Sequence, residues 1–466
     1  MKQTITLLLG ALWAMYLPAA GAAQKPNIVF ILVDDLGWRD GACFGSKFYQ
    51  TPQIDALAAS SLRFTQAYAA CAVCSPTRAA LMTGKYPARL HLTDWIPGQS
   101  APKNSRFRSP VWTEHLPLQE TTLAEALKKL GYATEHLGKW HLGGGKFLPQ
   151  YQGFDTNIAG GAIDRPVTYF WPYGAPGNPL RIPGLSARGG QPGEYLTDQL
   201  TDEALKFIEA NQHHPFYLNF CHYAVHSPLM AKQALIDQAA DQPGADGQSN
   251  TVYAAMLSSV DESVGRIMKK LEDLQLADHT LIVFTSDNGG AVTIGKPPAT
   301  SNAPLREGKG YAYEGGLRVP LLVKMPGVTT AGSVCDTPVI TMDFFPTLLE
   351  LAGAASAAGR TALDGVSFAP LLRGETETPH PELFWHYPHY WNKVTPYSVA
   401  RVGNWKLIRF YETGTEELYN LQSDLSETNN LASVNPVKRK ELSTRLDAWL
   451  LEVGAQMPVP RSGHAN

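Results

Sequence analysis

Three carboxylates and an amide close two apolar runs of this 466-residue chain. "NIVFILVDDLGW" leads into Asp34 and Asp35, and "TLIVFTSDNGG" leads into Asp287, Asn288 and two glycines. Acids gathered at neighbouring strand ends repel one another unless a cation sits between them, and hard oxygen donors of this kind suit Ca2+ in preference to Mg2+. Either pair alone would serve equally well as a helix or turn cap. Two pairs in the same context shift the balance toward a metal. Basic and imidazole groups recur in matching places: Lys139 and His141 in "EHLGKWHLGG", His222 and His226 in "FCHYAVHSPL", and Lys309 in the glycine-rich "REGKGYAYEGG". A lone Lys or His is usually a surface or satisfied core residue, but a lysine flanked by glycines suits contact with an anion. A divalent cation with several Lys and His groups is chemistry for a tetrahedral oxyanion, that is, a phosphate or sulfate ester.

"CAVCSPTRAALMTG" spans Cys71 to Gly84 and holds two cysteines three apart. A redox pair is a poor reading, because Ser-Pro-Thr-Arg follows the second cysteine instead of a thioredoxin-like helix start. Zinc is equally poor, since no second Cys or His pair lies at a suitable spacing.

The elements that must carry these groups read as a mostly parallel or mixed sheet between helices. Segments 27–33, 215–221, 280–286 and 319–325 are short runs rich in Val, Ile and Phe, as buried strands are. Segments 121–131 and 252–276 show apolar residues at helical spacing. Strands alternating with helices give an α/β class with both sheet faces covered. In such sheets functional groups gather beyond the carboxyl ends of the strands. Residues 144–200 turn rich in Gly, Pro and aromatics, a loop-rich region over one end of the sheet. Beyond 375 the pattern changes to a hairpin at 397–411 with "GN" at its turn and an amphipathic helix at 438–454. The expected division is a leader at 1–23, a catalytic domain at 24–375, and a smaller α+β domain with an antiparallel sheet at 376–466.

The leader has Lys2, an apolar run from Ile5 to Leu17 and the small residues Ala20-Gly21-Ala22, the pattern of a cleaved signal peptide. The run is too short to span a bilayer comfortably, so the mature chain is read as exported, periplasmic or secreted, with no membrane partner. Charged residues make up 17% and the net charge is −3, with no basic stripe interleaved with aromatics, which excludes nucleic acid as a partner. Of five cysteines, setting Cys74 aside leaves Cys43, Cys71, Cys221 and Cys335, for which three full pairings or free thiols stay open.

Cys74-Ser75-Pro76-Thr77-Arg78 resembles the C-x-P-x-R signature of the type I sulfatases of the alkaline phosphatase superfamily, in which the cysteine is oxidised to formylglycine. "VDDLGW", "GKWHLG", the His226 segment, "SDNGG", "GKGYAYEGGLRVP" and "ELYNLQSDLSETNNLA" resemble further landmarks of that family, in the same order over nearly the whole mature chain. The resemblance implies an alkaline phosphatase-like fold and one Ca2+ held by Asp34, Asp35, Asp287, Asn288 and the modified Cys74. It implies that Arg78 anchors the formylglycine, that Lys139 bridges it and the sulfate, and that His141 is the base paired with the nucleophile. His226 and Lys309 would bind sulfate near the leaving oxygen, and either would protonate it. A hydrated aldehyde gives one hydroxyl to attack sulfur and a second whose deprotonation expels sulfate. A maturation enzyme that makes formylglycine is an implied partner. Pro76 and a helix opening near Thr77 would point backbone N–H groups at the anion. Two positions depart from the pattern: Val225 where proline is frequent, and Lys85 where arginine is common.

For the ester itself, "FWHYPHYW" (384–391) brings aromatic and imidazole groups together. A packed surface cluster is as good a reading as a substrate wall; as a wall, Trp391 and its neighbours would stack on a sugar while His386 and His389 bond its hydroxyls. Sulfated carbohydrate is the expected substrate, with aryl sulfates also turned over. The alternatives are a phosphodiesterase or phosphonate monoester hydrolase of the same superfamily, and a non-catalytic periplasmic binder of sulfated sugars.

Overall fold

The computed structural model describes residues 25–185, 189–354 and 362–461, so the expected leader at 1–23 lies outside the described residues. Strand β1 (Asn27–Val33) is buried along its whole length. Its Ile28, Phe30 and Leu32 enter one apolar cluster and its Val29, Ile31 and Val33 another. A strand covered on both faces has no polar side, which is why its sequence is an unbroken apolar run.

Strands β2 (Leu62–Tyr68), β3 (Ala133–Gly138), β4 (Thr156–Ile158), β5 (Phe216–His222), β6 (Thr280–Ser286), β7 (Arg318–Lys324), β8 (Val334–Cys335) and β9 (Val339–Ile340) complete a nine-stranded sheet. The order across it is β9-β2-β7-β6-β1-β5-β3-β4, with β8 also pairing with β2. β1 runs parallel to β5 and β6, whereas β7 is antiparallel to both β2 and β6, so the sheet is mixed. Helices α1 (Pro52–Ala59), α2 (Cys74–Thr83), α3 (Leu123–Lys129), α4 (Leu196–Ala210), α5 (Thr251–Asp273) and α6 (Phe344–Leu351) flank it. α1, α4 and α5 pack on the Val29 face, and α2, α3 and α6 on the Ile28 face. α3 starts at a reciprocal cap between Thr122 and Glu125, which satisfies two N–H groups that the helix itself leaves unpaired. This is the α/β architecture expected from the sequence.

A separate antiparallel sheet follows, made of β10 (Glu382–Tyr387), β11 (Tyr397–Val402), β12 (Trp405–Phe410) and β13 (Thr415–Asn420). Gly403 and Asn404 form the two-residue turn between β11 and β12. Helix α7 (Pro436–Glu452) covers it with Leu442, Leu446 and Trp449. The same cluster takes in Cys71, Ala72, Val73 and Ala312, so the small sheet packs directly behind the segments that lead into α2 and out of the Lys309 loop. Buried Lys406 of β12 strengthens that seam, with Nζ 2.9 Å from Glu314 and 2.8 Å from Glu427. All five cysteines carry free thiols. No helix among the described residues is long and apolar enough to cross a membrane.

Candidate active site

Parallel pairing of β1 with β6 sets Val33 opposite Ser286, so the residues after each strand emerge side by side. The Asp35 N–H donates to Asp287 Oδ1 at 3.2 Å, and Asn288 Nδ2 donates to Asp35 Oδ1 at 2.8 Å. One oxygen each of Asp34 and Asp287 and the Cys74 sulfur lie within 4.8 Å of one another; Asp35, Cys74 and His226 form a second such group. Asp34 Oδ1 and Asn288 Oδ1 are buried without a hydrogen-bond partner. Asp35 holds a left-handed backbone (φ 60°), as does His141 (φ 56°), a strain of the kind stored at functional sites.

Cys74 is the first residue of α2, three positions earlier than the helix opening expected near Thr77. Pro76 permits this, because the first turn of a helix makes no use of its N–H groups. Every residue of α2 is buried, and its positive end faces the acids. Three cations meet the three carboxylates. Arg78 grips Asp287 Oδ2 through Nε at 2.9 Å and Nη2 at 2.8 Å, and donates from Nη1 to the Lys139 carbonyl at 2.7 Å. Lys139 Nζ lies 2.6 Å from Asp34, and Lys309 Nζ lies 2.7 Å from Asp35. Burial alone would raise Asp287, but Arg78, then Lys139 and Lys309, hold it well below the ordinary carboxylate range. Burial pushes Asp34 well above that range, with Asp287 and Asp35 adding to the rise and Lys139 opposing it.

His141 follows β3, and its Nε2 lies 2.5 Å from the Ile96 carbonyl while Nδ1 is buried without a partner. Burial first, and Lys139 next, depress its pKa well below the ordinary imidazole value. His226 follows β5, with Nδ1 2.8 Å from the Ser227 carbonyl and Nε2 3.6 Å from Asp35. The Ala224–Val225 peptide before it is cis. Two close backbone approaches hold the Lys309 loop in place. A Cβ on Gly289 would lie 1.8 Å from the Gly315 carbonyl, and one on Gly310 (φ 87°) would lie 2.3 Å from the Trp391 ring.

Cys74, His141, His226, Lys309 and Trp391 line one cavity of about 120 Å3, together with Trp95, Asp164, Arg165, Ser227 and Ile294. His386 and His389, expected beside Trp391, are not among its lining residues. His386 spends Nδ1 on Ser398 at 2.7 Å and Nε2 on the Gln456 carbonyl at 3.0 Å. His389 is wholly buried, with Nε2 2.8 Å from Thr93 and Nδ1 3.6 Å from Asp94. Both rings are structural, and neither reaches a substrate hydroxyl. His222 is likewise buried in the core against Phe220. Sequence reasoning missed Trp95, Ile96, Asp164 and Arg165; the one signal for Asp164 and Arg165 was their place in the aperiodic stretch 144–200.

Comparison with known proteins follows this geometry. The family model described as Sulfatase matches residues 26–354, and the model described as N-sulphoglucosamine sulphohydrolase, C-terminal, matches 308–456. A sulfatase of Formosa agariphila is 32% identical over 96% of this chain and 93% of its own. The human N-acetylgalactosamine-6-sulfatase is 33% identical over 83% of this chain and 75% of its own. Among solved structures, Ps i-CgsB in complex with k-i-k-neocarrahexaose superposes with a TM-score of 0.76 and 30% identity, covering 94% of this chain and 96% of that one.

Proposed function

The chain belongs to the sulfatase family and is a sulfuric ester hydrolase; from that premise we propose that it removes sulfate from sulfated carbohydrate, using residue 74 as formylglycine beside a bound Ca2+. The observation that carries this reading is the meeting of the Cys74 side chain with Asp34 and Asp287 at the start of α2, in a cavity shared with His141 and Lys309. The sugar assignment draws on two relatives, one a sulfatase of N-acetylgalactosamine 6-sulfate by name and the other solved with a neocarrahexaose. Trp391 gives the cavity a flat wall for a sugar face.

The donor set fits a divalent ion. Two buried oxygens, Asp34 Oδ1 and Asn288 Oδ1, have no hydrogen-bond partner. The charges of Asp34, Asp35 and Asp287 are balanced by those of Arg78, Lys139 and Lys309, leaving no net attraction for an anionic ester. Asp34, Asp35, Asp287 and Asn288 would hold the ion. Bound there, Ca2+ would supply the excess positive charge that draws and polarises a sulfate.

Residue 74 fits conversion as well. Burial pushes the Cys74 thiol up to about 12, so the unmodified side chain is protonated near neutral pH and a poor nucleophile. Formylglycine at this position would supply a hydrated aldehyde, one hydroxyl for attack on sulfur and one to be deprotonated for sulfate release. Arg78 fixes Asp287 and the Lys139 backbone, so the two cationic arms approach residue 74 from rigid supports. Lys139 and Lys309 neutralise negative charge on the sulfate oxygens. His141, neutral and with Nδ1 free, takes a proton from residue 74. Lys309 and His226 stand on the leaving-group side, where sugar alcohols need protonation.

Export with a cleaved leader and a formylglycine-generating maturation enzyme belong to the same proposal, supported by the leader pattern at 1–23 and by Cys74-x-Pro76-x-Arg78. Parallel assays on sulfate monoesters, phosphate diesters and phosphonate monoesters test it. Turnover led by the sulfate esters is expected; a lead by either phosphorus ester would transfer the chain to that activity, and binding of a sulfated sugar without turnover would make it a binder.

A further inference from the structure

Asp164 and Arg165 stand on the cavity wall, and nothing in the chemistry above uses them. They are sequence neighbours joined to each other by one bond, Arg165 Nη1 to Asp164 Oδ2 at 2.5 Å. Among the described residues their side chains make no other hydrogen bond or ion pair. Asp164 is 13% exposed and Arg165 43%, so the acid lies deeper and the guanidinium lies at the mouth. An exposed pair of this kind adds little to stability.

The loop that presents them is held rigidly at both ends. Before the pair, Asn157 of β4 bonds both the N–H and the carbonyl of Gly160 at 3.1 Å, and the Tyr223 hydroxyl donates to the Ala159 carbonyl at 2.9 Å. The His141 N–H donates to the Gly161 carbonyl at 3.0 Å. After the pair, the Tyr169 hydroxyl donates to the carbonyls of Tyr223 and His226 at 2.7 and 2.8 Å. The loop is therefore tied to the two segments that carry His141 and His226. Such support is what keeps a recognition group at fixed distance from a reacting centre.

We propose that Asp164 and Arg165 form a specificity pair that reads two adjacent hydroxyls on the sulfated sugar ring itself. Asp164 accepts from one hydroxyl while Arg165 donates to the oxygen of the next, and the separation of a hydrogen-bonded pair is close to that of neighbouring hydroxyl oxygens. Trp391 supplies the stacking wall on the same cavity. The pair is neutral in sum, so a second anionic group drawn to Arg165 would also meet Asp164. The ring it fits is thus an uncharged hexose with a free vicinal diol, and not a uronic acid or a disulfated ring.

This inference rests on the sulfatase reading, and one experiment separates the two. Wild type, Asp164→Asn and Arg165→Ala are compared by kcat/KM on 4-nitrophenyl sulfate, on a panel of monosulfated hexoses with a free vicinal diol, and on their dideoxy counterparts. Each variant should lose about 10- to 100-fold on the best hexose sulfate, the scale of a hydrogen bond to a charged group, and under about 3-fold on the aryl ester, which has no hydroxyls to read. On the dideoxy ring wild type should fall to the variants' level, and the substitutions should then add nothing. Equal losses on sugar and aryl esters, or undiminished sugar turnover, would overturn the pair's role and leave the sulfatase reading standing. So would a wild type active on the aryl ester and on no hexose of the panel. A wild type inert on every sulfate ester would remove the sulfatase reading itself, and the inference with it.

Discussion

His141 gives its Nε2–H to the Ile96 carbonyl across 2.5 Å. A carbonyl can only accept, so this bond assigns the tautomer: the proton is on Nε2 and the lone pair on Nδ1. Nδ1 is buried, unpartnered and on a ring whose burial keeps it uncharged. A base with its proton already committed elsewhere has one free site, and here that site belongs to the cavity wall shared with Cys74.

Substituting His141→Ala should therefore lower kcat by about 10²- to 10⁴-fold, the range for loss of a positioned acid–base group. KM should change far less, since Lys139 and Lys309 still hold the anion. Steady-state kinetics on an aryl sulfate decides it; a variant with wild-type kcat removes His141 from proton transfer.

Exhaustive chelation should lower both the melting temperature and the sulfatase rate, and added Ca2+ should restore both. An ion held at 100 times its Kd stabilises the fold by about 2.7 kcal/mol, a shift readily seen by calorimetry. Insensitivity of both readouts to chelation would mean that Asp34, Asp35, Asp287 and Asn288 hold no metal.

Gly310→Ala should destabilise the protein, because its new Cβ would stand 2.3 Å from the Trp391 ring and its φ is 87°. Overpacking of this kind costs about 1–3 kcal/mol. In a Trp391→Ala background the clash is gone, so denaturant unfolding should show the Gly310→Ala penalty shrinking to the backbone part alone. An unchanged penalty in both backgrounds would mean that the ring and the Lys309 loop do not constrain each other.

Lys406→Met should cost about 3–5 kcal/mol in urea unfolding, since it strands Glu314 and Glu427 as buried acids. Adding Glu314→Gln and Glu427→Gln should recover part of the loss. A single substitution within about 0.5 kcal/mol of wild type would show that the seam between the two sheets does not depend on this charge.

Contiguity decided what the sequence revealed. Cys74 and Arg78 sit four residues apart on one helix, and Asp34 and Asp287 follow apolar runs, so their types and contexts are visible without a fold. The Ile96 carbonyl, Trp95, Asp164 and Arg165 reach the same cavity from segments with no periodicity. Only the loop ties at Gly160, Gly161 and Tyr169 bring Asp164 and Arg165 there. His386 misled for the opposite reason. Its aromatic neighbours looked like a recognition wall, yet it lies on β10, where pairing with β11 turns its ring onto Ser398. Trp391 lies beyond that strand and packs on Gly310, which brings it to the cavity. The start of α2 was placed late because Pro76 was read as preceding the helix, when it occupies the first turn.

Peptide mass spectrometry of the segment containing residue 74, on enzyme shown to be active, tests the central claim most directly. The expected peptide lacks the sulfur and two hydrogens of cysteine and carries an added oxygen, as an aldehyde does, and its yield should track specific activity across preparations. Full activity in a preparation whose Cys74 is entirely the unmodified thiol would contradict a formylglycine nucleophile.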